Sequence, residues 1–179
     1  MKYIKVLFIL IGTMGILHAE KVKVFDLNDQ ILETSGTKVE KFKVNDIIIS
    51  TNLKLSANED FYQGSSHYFS FEFEKPENHF EVQFRMGTGY SEHIWRFVDD
   101  MGESIYLYQS KKYILINGKR YNISNNDHIK IIVNNSKLLV YSNNKKLAMV
   151  NLSKLKGVKT VEFEGVKWLS EFLIFNYKS

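Results

Sequence analysis

Aromatic rings with polar neighbours concentrate on two adjacent β-like segments in the middle of the chain. The ligand-binding candidates, of which the last lies further along beside a predicted bend, are Tyr90, His93, Trp95, Tyr106, Tyr108 and Trp168. Sugars bind by stacking their C–H faces on aromatic rings, with hydrogen bonds at the rim. These residues therefore predict a shallow glycan groove. Core filling explains Trp95 and Trp168 equally well, and both alternatives stay open at this point.

Three carboxylates fall in one loop between two predicted strands. Asp99, Asp100 and Glu103 surround Gly102, and carboxylate oxygens this close together can ligate calcium. The spacing lacks the regular ligand ladder of an EF-hand loop. Calcium is thus the one candidate cofactor, and a solvated acidic turn is the alternative.

Two pairs of glutamates alternate with apolar residues. Glu72 and Glu74 form one pair, and Glu162 and Glu164 form the other. Glycoside hydrolysis with retention uses two carboxyl groups about 5 Å apart, with separated roles as acid and nucleophile. The same pattern is common on the solvent side of any half-buried strand. Each pair is therefore a candidate for hydrolase catalysis. The simpler interpretation is that the glutamates form the polar face of a strand.

The elements that must position these residues are short β-strands. The segment Asp127–Val150 contains three alternating runs separated by Asn134-Asn135-Ser136 and Ser142-Asn143-Asn144-Lys145, and Asn-Gly at positions 117–118 separates two further runs. Asparagine and glycine tolerate the left-handed backbone of tight hairpin turns. The sequence therefore predicts a three-stranded meander preceded by a hairpin.

Alternating phenylalanines mark two strands on either side of the only proline. Phe69, Phe71 and Phe73 share one face of the first strand, and the second alternates from Phe80 to Phe84. With Pro76 at the turn, these strands are predicted to form a hairpin with an aromatic inner face that belongs to the core.

The whole chain shows about a dozen such runs and no helical period that lasts three turns. No linker or internal repeat divides it. We therefore predict an all-β fold, an antiparallel two-sheet β-sandwich of jelly-roll type, as a single domain over residues 20–179.

Residues 1–19 have the order of a secretory signal peptide. Lys2 and Lys5 precede an apolar run from Val6 to Leu17, and Ala19 comes just before a polar segment. The run is shorter than the ~20 residues of a membrane-spanning helix. We expect a cleaved signal peptide, with an uncleaved anchor as the alternative. After cleavage no transmembrane segment is expected, and the protein is expected to be secreted or periplasmic. The Asn, Lys and Ile content favours a bacterial source.

The charge balance argues against nucleic acid as a partner. The formal net charge is +4, and loss of Lys2 and Lys5 with the signal segment, which contains no acid, leaves 4 − 2 = +2. Nucleic-acid binding depends on clustered cations, which this near-neutral domain lacks apart from lysines on predicted turns. Cysteine is absent, so no disulfide framework exists.

The last third of the chain resembles the concanavalin A-like lectin and laminin G-like group. The segments that carry the resemblance are Asp127–Ile131, Lys137–Tyr141, Asn143–Leu147, Val161–Gly165 and Trp168–Ile174. The resemblance implies two curved antiparallel sheets, with a closing strand that pairs near the N-terminal strand. It also implies that the concave face or the rim loops bind sugars, lipids or proteins, often with calcium at a loop.

Three functions are consistent with these observations. The first is an exported, non-catalytic domain that binds a glycan or a cell-envelope component. The second is a structural or adhesive module that recognises a surface protein through loops or edge strands. The third is a polysaccharide hydrolase or lyase, although hydrolases of the resembled group carry a Glu-x-Asp-x-x-Glu strand and neither glutamate pair continues into that pattern.

Overall fold

The computed structural model describes residues 20–27, 38–55, 62–63, 68–88, 93–124 and 126–178. Residues 1–19 lie outside this part of the chain. The described residues form the following strands: β1 (Glu20–Asp26), β2 (Glu40–Val44), β3 (Ile47–Thr51), β4 (Lys54–Leu55), β5 (Tyr62–Gln63), β6 (Tyr68–Glu77), β7 (His79–Thr88), β8 (His93–Val98), β9 (Ser104–Gln109), β10 (Tyr113–Ile116), β11 (Lys119–Asn122), β12 (Ile129–Asn134), β13 (Lys137–Ser142), β14 (Lys145–Asn151), β15 (Val158–Glu164) and β16 (Val166–Lys178).

The strands assemble into two antiparallel sheets of eight strands each. Sheet I has the order β14-β13-β12-β7-β16-β5-β4, with β1 also paired to β16. Sheet II has the order β11-β10-β9-β8-β15-β6-β3-β2. The predicted two-sheet β-sandwich is confirmed. Within the described ranges, no helix is long and apolar enough to cross a membrane.

The predicted asparagine turns close the hairpins of both sheets. Asn135 joins β12 to β13 at φ 52°, and Asn143 and Asn144 join β13 to β14 at 47° and 65°. Asn117 and Gly118 have φ 51° and 74° between β10 and β11, as a type I′ turn requires. The meander and the preceding hairpin were therefore correctly predicted from local turn chemistry.

The predicted hairpin on either side of Pro76 is wrong. β6 pairs with β3 and β15 in sheet II, whereas β7 pairs with β12 and β16 in sheet I. The chain therefore changes sheet at this corner. The aromatic inner faces were correctly placed, but they meet across the sandwich: the ring centroids of Phe73 and Phe80 are 4.9 Å apart.

The core between the sheets is built around Phe172 of β16. This ring lies 4.7 Å from Phe69 and 5.9 Å from Phe163, both of sheet II, and 5.8 Å from Phe84 of β7. All four side chains are essentially inaccessible to solvent. Aromatic contacts of this kind add to the hydrophobic energy of burial, so Phe172 joins the two sheets.

A β-bulge directs Phe172 into the core. In the pairing of β16 with β7, the register shifts between Ser170 and Leu173, so that Glu171 and Phe172 oppose the single residue Phe84. Glu171 adopts φ 51°, a left-handed conformation that costs a non-glycine residue free energy. Its exposed carboxylate lies 2.8 Å from Nε of Arg85.

The N-terminal strand β1 is fixed to sheet I by a buried carboxylate. Glu81 of β7 is 3% exposed and accepts hydrogen bonds from Lys21 Nζ at 2.7 Å, from Tyr177 Oη at 2.8 Å and from Gln83 Nε2. β1 pairs with the closing strand β16, as the resemblance implied. The bonds to Glu81 offset the cost of burying its charge.

Candidate functional site

The predicted aromatic residues of β8 and β9 lie on two different faces of sheet II. Its burial alternates, with His93, Trp95 and Phe97 turned inward and fully buried. Arg96 lies on the outer face, as the period of two in a strand requires. On β9, Tyr106 and Tyr108 lie on this outer face as well, because Tyr106 pairs directly with Arg96.

A polar row crosses four strands on the outer face of sheet II. Ser70 of β6, Glu162 of β15, Arg96 of β8 and Tyr106 of β9 are cross-strand neighbours in register. Arg96 Nε lies 2.8 Å from Glu162 Oε2, and Arg96 Nη2 donates a hydrogen bond of 2.6 Å to Glu164 Oε1. The hydrogen bond to Glu164 is the chief reason that the pKa of Arg96 is raised. One guanidinium thus holds both carboxylates.

A second row runs parallel to the first, two residues along each strand. It contains Tyr68 of β6, Glu164 of β15, Ile94 of β8 and Tyr108 of β9. The Tyr68 hydroxyl donates to Glu162 Oε1 at 3.4 Å, which links the two rows. Burial is the largest cause of the raised pKa of Tyr68, to which the charge of Glu162 adds. Tyr68 therefore remains a protonated donor at neutral pH.

We name this surface the Arg96 face and define it by Tyr68, Arg96, Tyr106, Tyr108, Glu162 and Glu164. The two tyrosines of β9 are 46% and 38% exposed, so their rings are accessible to a ligand. The Arg96 guanidinium carbon lies 5.8 Å from the Tyr106 ring centroid. The face combines aromatic surface, carboxylate acceptors and a cationic donor, which is the chemistry required to bind a polyhydroxylated ligand.

The predicted single groove of aromatics is not what the structure forms. Trp95 is 0% exposed and packs at 5.4 Å from Phe84, and His93 is also 0% exposed. Both belong to the core, because they lie on the inner side of β8. Trp168 is half-buried in sheet I, away from the Arg96 face. Tyr90 lies outside the described residues. Tyr106 and Tyr108 remain candidate binding residues.

In the predicted calcium loop, the first carboxylate is buried and accepts hydrogen bonds from the turn. Asp99 is 4% exposed, and its Oδ1 accepts hydrogen bonds of 2.9 Å from the backbone N–H groups of both Met101 and Glu103. Asp100 and the Glu103 side chain are exposed. Among the described residues, no group of three or more His, Cys, Asp or Glu side chains could hold a metal ion. These residues do not fit calcium, and Asp99 serves to shape the turn.

Each of the two glutamate pairs lies beside a cation. Glu72 lies 3.5 Å from Lys159, and Glu74 is exposed at the end of the same face. Glu162 and Glu164 both bind Arg96. The pair therefore presents carboxylate acceptors beside one cation.

Arg96 is a candidate site residue that the sequence did not single out. The alternation of β8 places it opposite Trp95, on the face shared with Ile94 and Val98, and this was visible in the sequence. Its two partners are 66 and 68 residues away in the chain. Only the pairing of β8 with β15 brings them together, and no local signal specifies that pairing.

Comparison with known proteins supports the fold. No protein-family model matches the chain, and no curated protein matches it in sequence. Among solved structures, a sialidase matches 88% of this chain and 18% of its own length, with 13% identity and a TM-score of 0.52. The chain thus spans under a fifth of that protein.

Two further structures are similar at lower scores. A putative glycosyl hydrolase from Parabacteroides distasonis covers 87% of this chain and 98% of its own, with 10% identity and a TM-score of 0.48. The binding domain of botulinum neurotoxin DC, in complex with SialylT, covers 88% of this chain and 48% of its own, with 14% identity and a TM-score of 0.48. The likeness to the sialidase concerns architecture alone, and the chain is a jelly-roll β-sandwich that structurally resembles the concanavalin A-like group.

Proposed function

We propose that the protein is a non-catalytic glycan-binding domain and that the Arg96 face is its binding surface. The observation that carries this proposal is the position of two exposed tyrosines, Tyr106 and Tyr108, beside an arginine held by two glutamates. Two exposed rings on the same face of one strand offer an aromatic surface on which a ligand can stack. A sugar ring would cover them with its C–H face.

The polar half of the face supplies the hydrogen bonds that such a ligand needs. Glu164 has a side chain that is 41% exposed and Arg96 one that is 34% exposed, so both keep accessible bonding capacity. Sugar hydroxyl groups would donate to the carboxylate and accept from the guanidinium. Because both residues are already ordered by their ion pairs, little further conformational entropy would be lost on binding.

We place this activity outside the cytoplasm. The support is the charged, apolar and small-residue order of residues 1–19. A glycan or another component of the cell envelope is then the expected partner. Edman sequencing of the exported protein tests this directly, and we expect an N-terminus at Glu20.

Glycan-array binding tests the proposed function. The mature domain, residues 20–179, is compared with Tyr106→Ala and Tyr108→Ala. Tyr141→Ala is the matched control, because Lys130 Nζ lies 5.0 Å from the Tyr141 ring centroid on sheet I in a similar cation–aromatic pair. We expect at least a tenfold loss of retention in each Arg96-face variant and none in the control. An equal loss in all three variants would place the binding elsewhere.

Protein recognition is the second candidate function, favoured by one observation on sheet I. Met149 of the edge strand β14 is 51% exposed and pairs in register with Leu139, which pairs with Ile132. This apolar row would suit a protein partner. Pull-down from an envelope extract with Met149→Asp and wild-type protein tests it, and we expect capture to be lost only if the row is an interface.

A further inference from the structure

We infer that the Arg96 face selects neutral glycans and rejects those that carry a carboxylate. This inference rests on the proposed function and specifies its ligand class. It is based on the net charge of Arg96, Glu162 and Glu164, and on the contacts that the Arg96 guanidinium already makes with the two glutamates.

The first step is a count of charges within the ion-pair cluster. Arg96 contributes +1, and Glu162 and Glu164 contribute −1 each, so the cluster carries 1 − 2 = −1. Both carboxylates lie within 3 Å of the guanidinium, at 2.8 Å and 2.6 Å. An anionic sugar on this face would therefore meet a net negative charge, and like charges at close range repel.

The second step concerns the geometry of the guanidinium. Carboxylate ligands are bound best through two parallel N–H groups of one arginine. On Arg96, Nη2 already donates to Glu164, and Nε is buried 2.8 Å from Glu162 Oε2, so this edge is closed to a ligand. An incoming carboxylate would have to displace Glu164 or use the remaining end of the group beside two like charges.

The third step concerns the cations around the cluster. The ammonium group of Lys159 lies 3.5 Å from Glu72 and also donates to the backbone oxygens of Phe73 and Glu74. Arg120 lies over Tyr113 on the far hairpin of β10 and β11, with 4.7 Å from its guanidinium carbon to the ring centroid. The contacts of these two cations are with other groups than Glu162 and Glu164, so neither cation belongs to the cluster.

A neutral sugar could interact both with the carboxylates and with the tyrosine rings of the Arg96 face. Its hydroxyl groups would donate to the carboxylate oxygens of Glu162 and Glu164 that point away from Arg96. Its C–H faces would cover Tyr106 and Tyr108. A carboxylate-bearing sugar would bring a further negative charge close to Glu162 and Glu164, so the glutamates would provide the discrimination.

The test compares matched pairs of oligosaccharides that share a neutral backbone and differ by one terminal carboxylate-bearing sugar. Dissociation constants are measured for the mature domain and for the double variant Glu162→Gln, Glu164→Gln. The control is Glu72→Gln, Glu74→Gln, which changes the total charge by the same +2 on the same sheet but leaves Arg96 paired. We expect the wild type and the control to bind the neutral member at least tenfold more tightly, and the Arg96-cluster variant to lose or reverse that preference.

The outcomes separate the inference from the function on which it rests. Tighter binding of the acidic member by the wild type overturns the inference and leaves glycan binding intact. A reversal in the control variant also overturns it, because total charge would then decide selectivity. If no oligosaccharide binds the wild type, the proposed function fails. Glu164→Gln alone, at the more exposed of the two glutamates, gives the answer if the double variant does not fold, since it brings the cluster to neutrality and should weaken the preference.

Discussion

Tyr106 and Arg96 lie directly opposite each other on β9 and β8, with 5.8 Å between the guanidinium carbon and the ring centroid. This pair joins the aromatic part of the Arg96 face to its charged part. Because side chains alternate along a strand and Arg96 lies on the outer face, its neighbour Trp95 points into the core. Alternation along one strand separates the residues of the Arg96 face from the residues that form the core.

Alanine substitution should lower the free energy of unfolding far more at Trp95 than at Tyr106. Trp95→Ala should lower the free energy of unfolding by about 3–5 kcal/mol, because it leaves a cavity beside Phe84 and Phe163. Tyr106→Ala should change it by about 0.5 kcal/mol or less, because the side chain is half exposed. Chemical denaturation measures both, and similar losses for the two variants would show that Tyr106 is part of the core.

Substitution by glutamine should change the stability of the fold differently at Glu81 and at Glu77. Burial raises the pKa of Glu81, but hydrogen bonds from Lys21, Gln83 and Tyr177 outweigh it and hold the pKa below its ordinary value. Such a group stabilises the fold above its unfolded pKa of about 4.3, and this contribution is lost as the pH falls through the folded pKa. Glu81→Gln should cost about 1–3 kcal/mol at pH 7 and flatten the loss of stability in acid.

Glu77→Gln is the matched control for Glu81→Gln. Burial raises the pKa of Glu77, with only the charge of His79 opposing it. A raised carboxyl pKa stabilises the fold at low pH, and that contribution is lost as the pH rises through the folded pKa. Glu77→Gln should therefore leave stability at pH 7 unchanged or slightly higher. A loss at pH 7 equal to that of Glu81→Gln would contradict the assignment.

The bulge at Glu171 predicts an unusual ranking of substitutions. The residue has φ 51°, which costs a side-chain-bearing residue about 1–2 kcal/mol relative to glycine. Glu171→Gly should be neutral or stabilising, although it removes an exposed ion pair with Arg85, whose worth is about 0–1 kcal/mol. Glu171→Val should destabilise the domain, because β-branched residues avoid this region. Thermal unfolding checks the order, and a more stable valine variant would contradict the bulge.

Chelation should leave the domain unchanged, whereas truncation of Asp99 should not. Asp99→Ala removes the acceptor of two backbone N–H groups at a buried position and should cost about 1–3 kcal/mol. Asp99→Asn keeps Oδ1 and should cost less. A chelator should not shift the melting temperature of the wild type, and a clear downward shift would revive the calcium prediction.

The fold was largely predictable because its signals are local. Asparagine turns at Asn117, Asn135 and Asn143 are encoded by the backbone preferences of single residues. The wrong hairpin at Pro76 shows the limit of such signals. An alternating aromatic strand looks the same whether its neighbour in sequence is its partner in the sheet or faces it across the core, because both arrangements bury Phe73 against Phe80.

The site was less predictable than the fold because its contacts are long-range. The tyrosines on β9 were identified from their alternation. The glutamates of β15 were identified as a possible hydrolase pair and not as partners of Arg96. Arg96 was not singled out as a site residue, since its contacts with Glu162 and Glu164 follow from the register of β8 with β15. Such pairing is decided by the whole sandwich rather than by the residues around Arg96.

Backbone amide shift mapping by NMR tests the central claim most directly. A neutral oligosaccharide is titrated into the isotopically labelled domain, residues 20–179. We expect the shifts to concentrate on Arg96, Tyr106, Tyr108 and Glu164, with β12, β13 and β14 of sheet I unaffected. Saturable shifts confined to sheet I, or to loops away from β8, β9 and β15, would contradict the assignment of the Arg96 face as the glycan-binding surface.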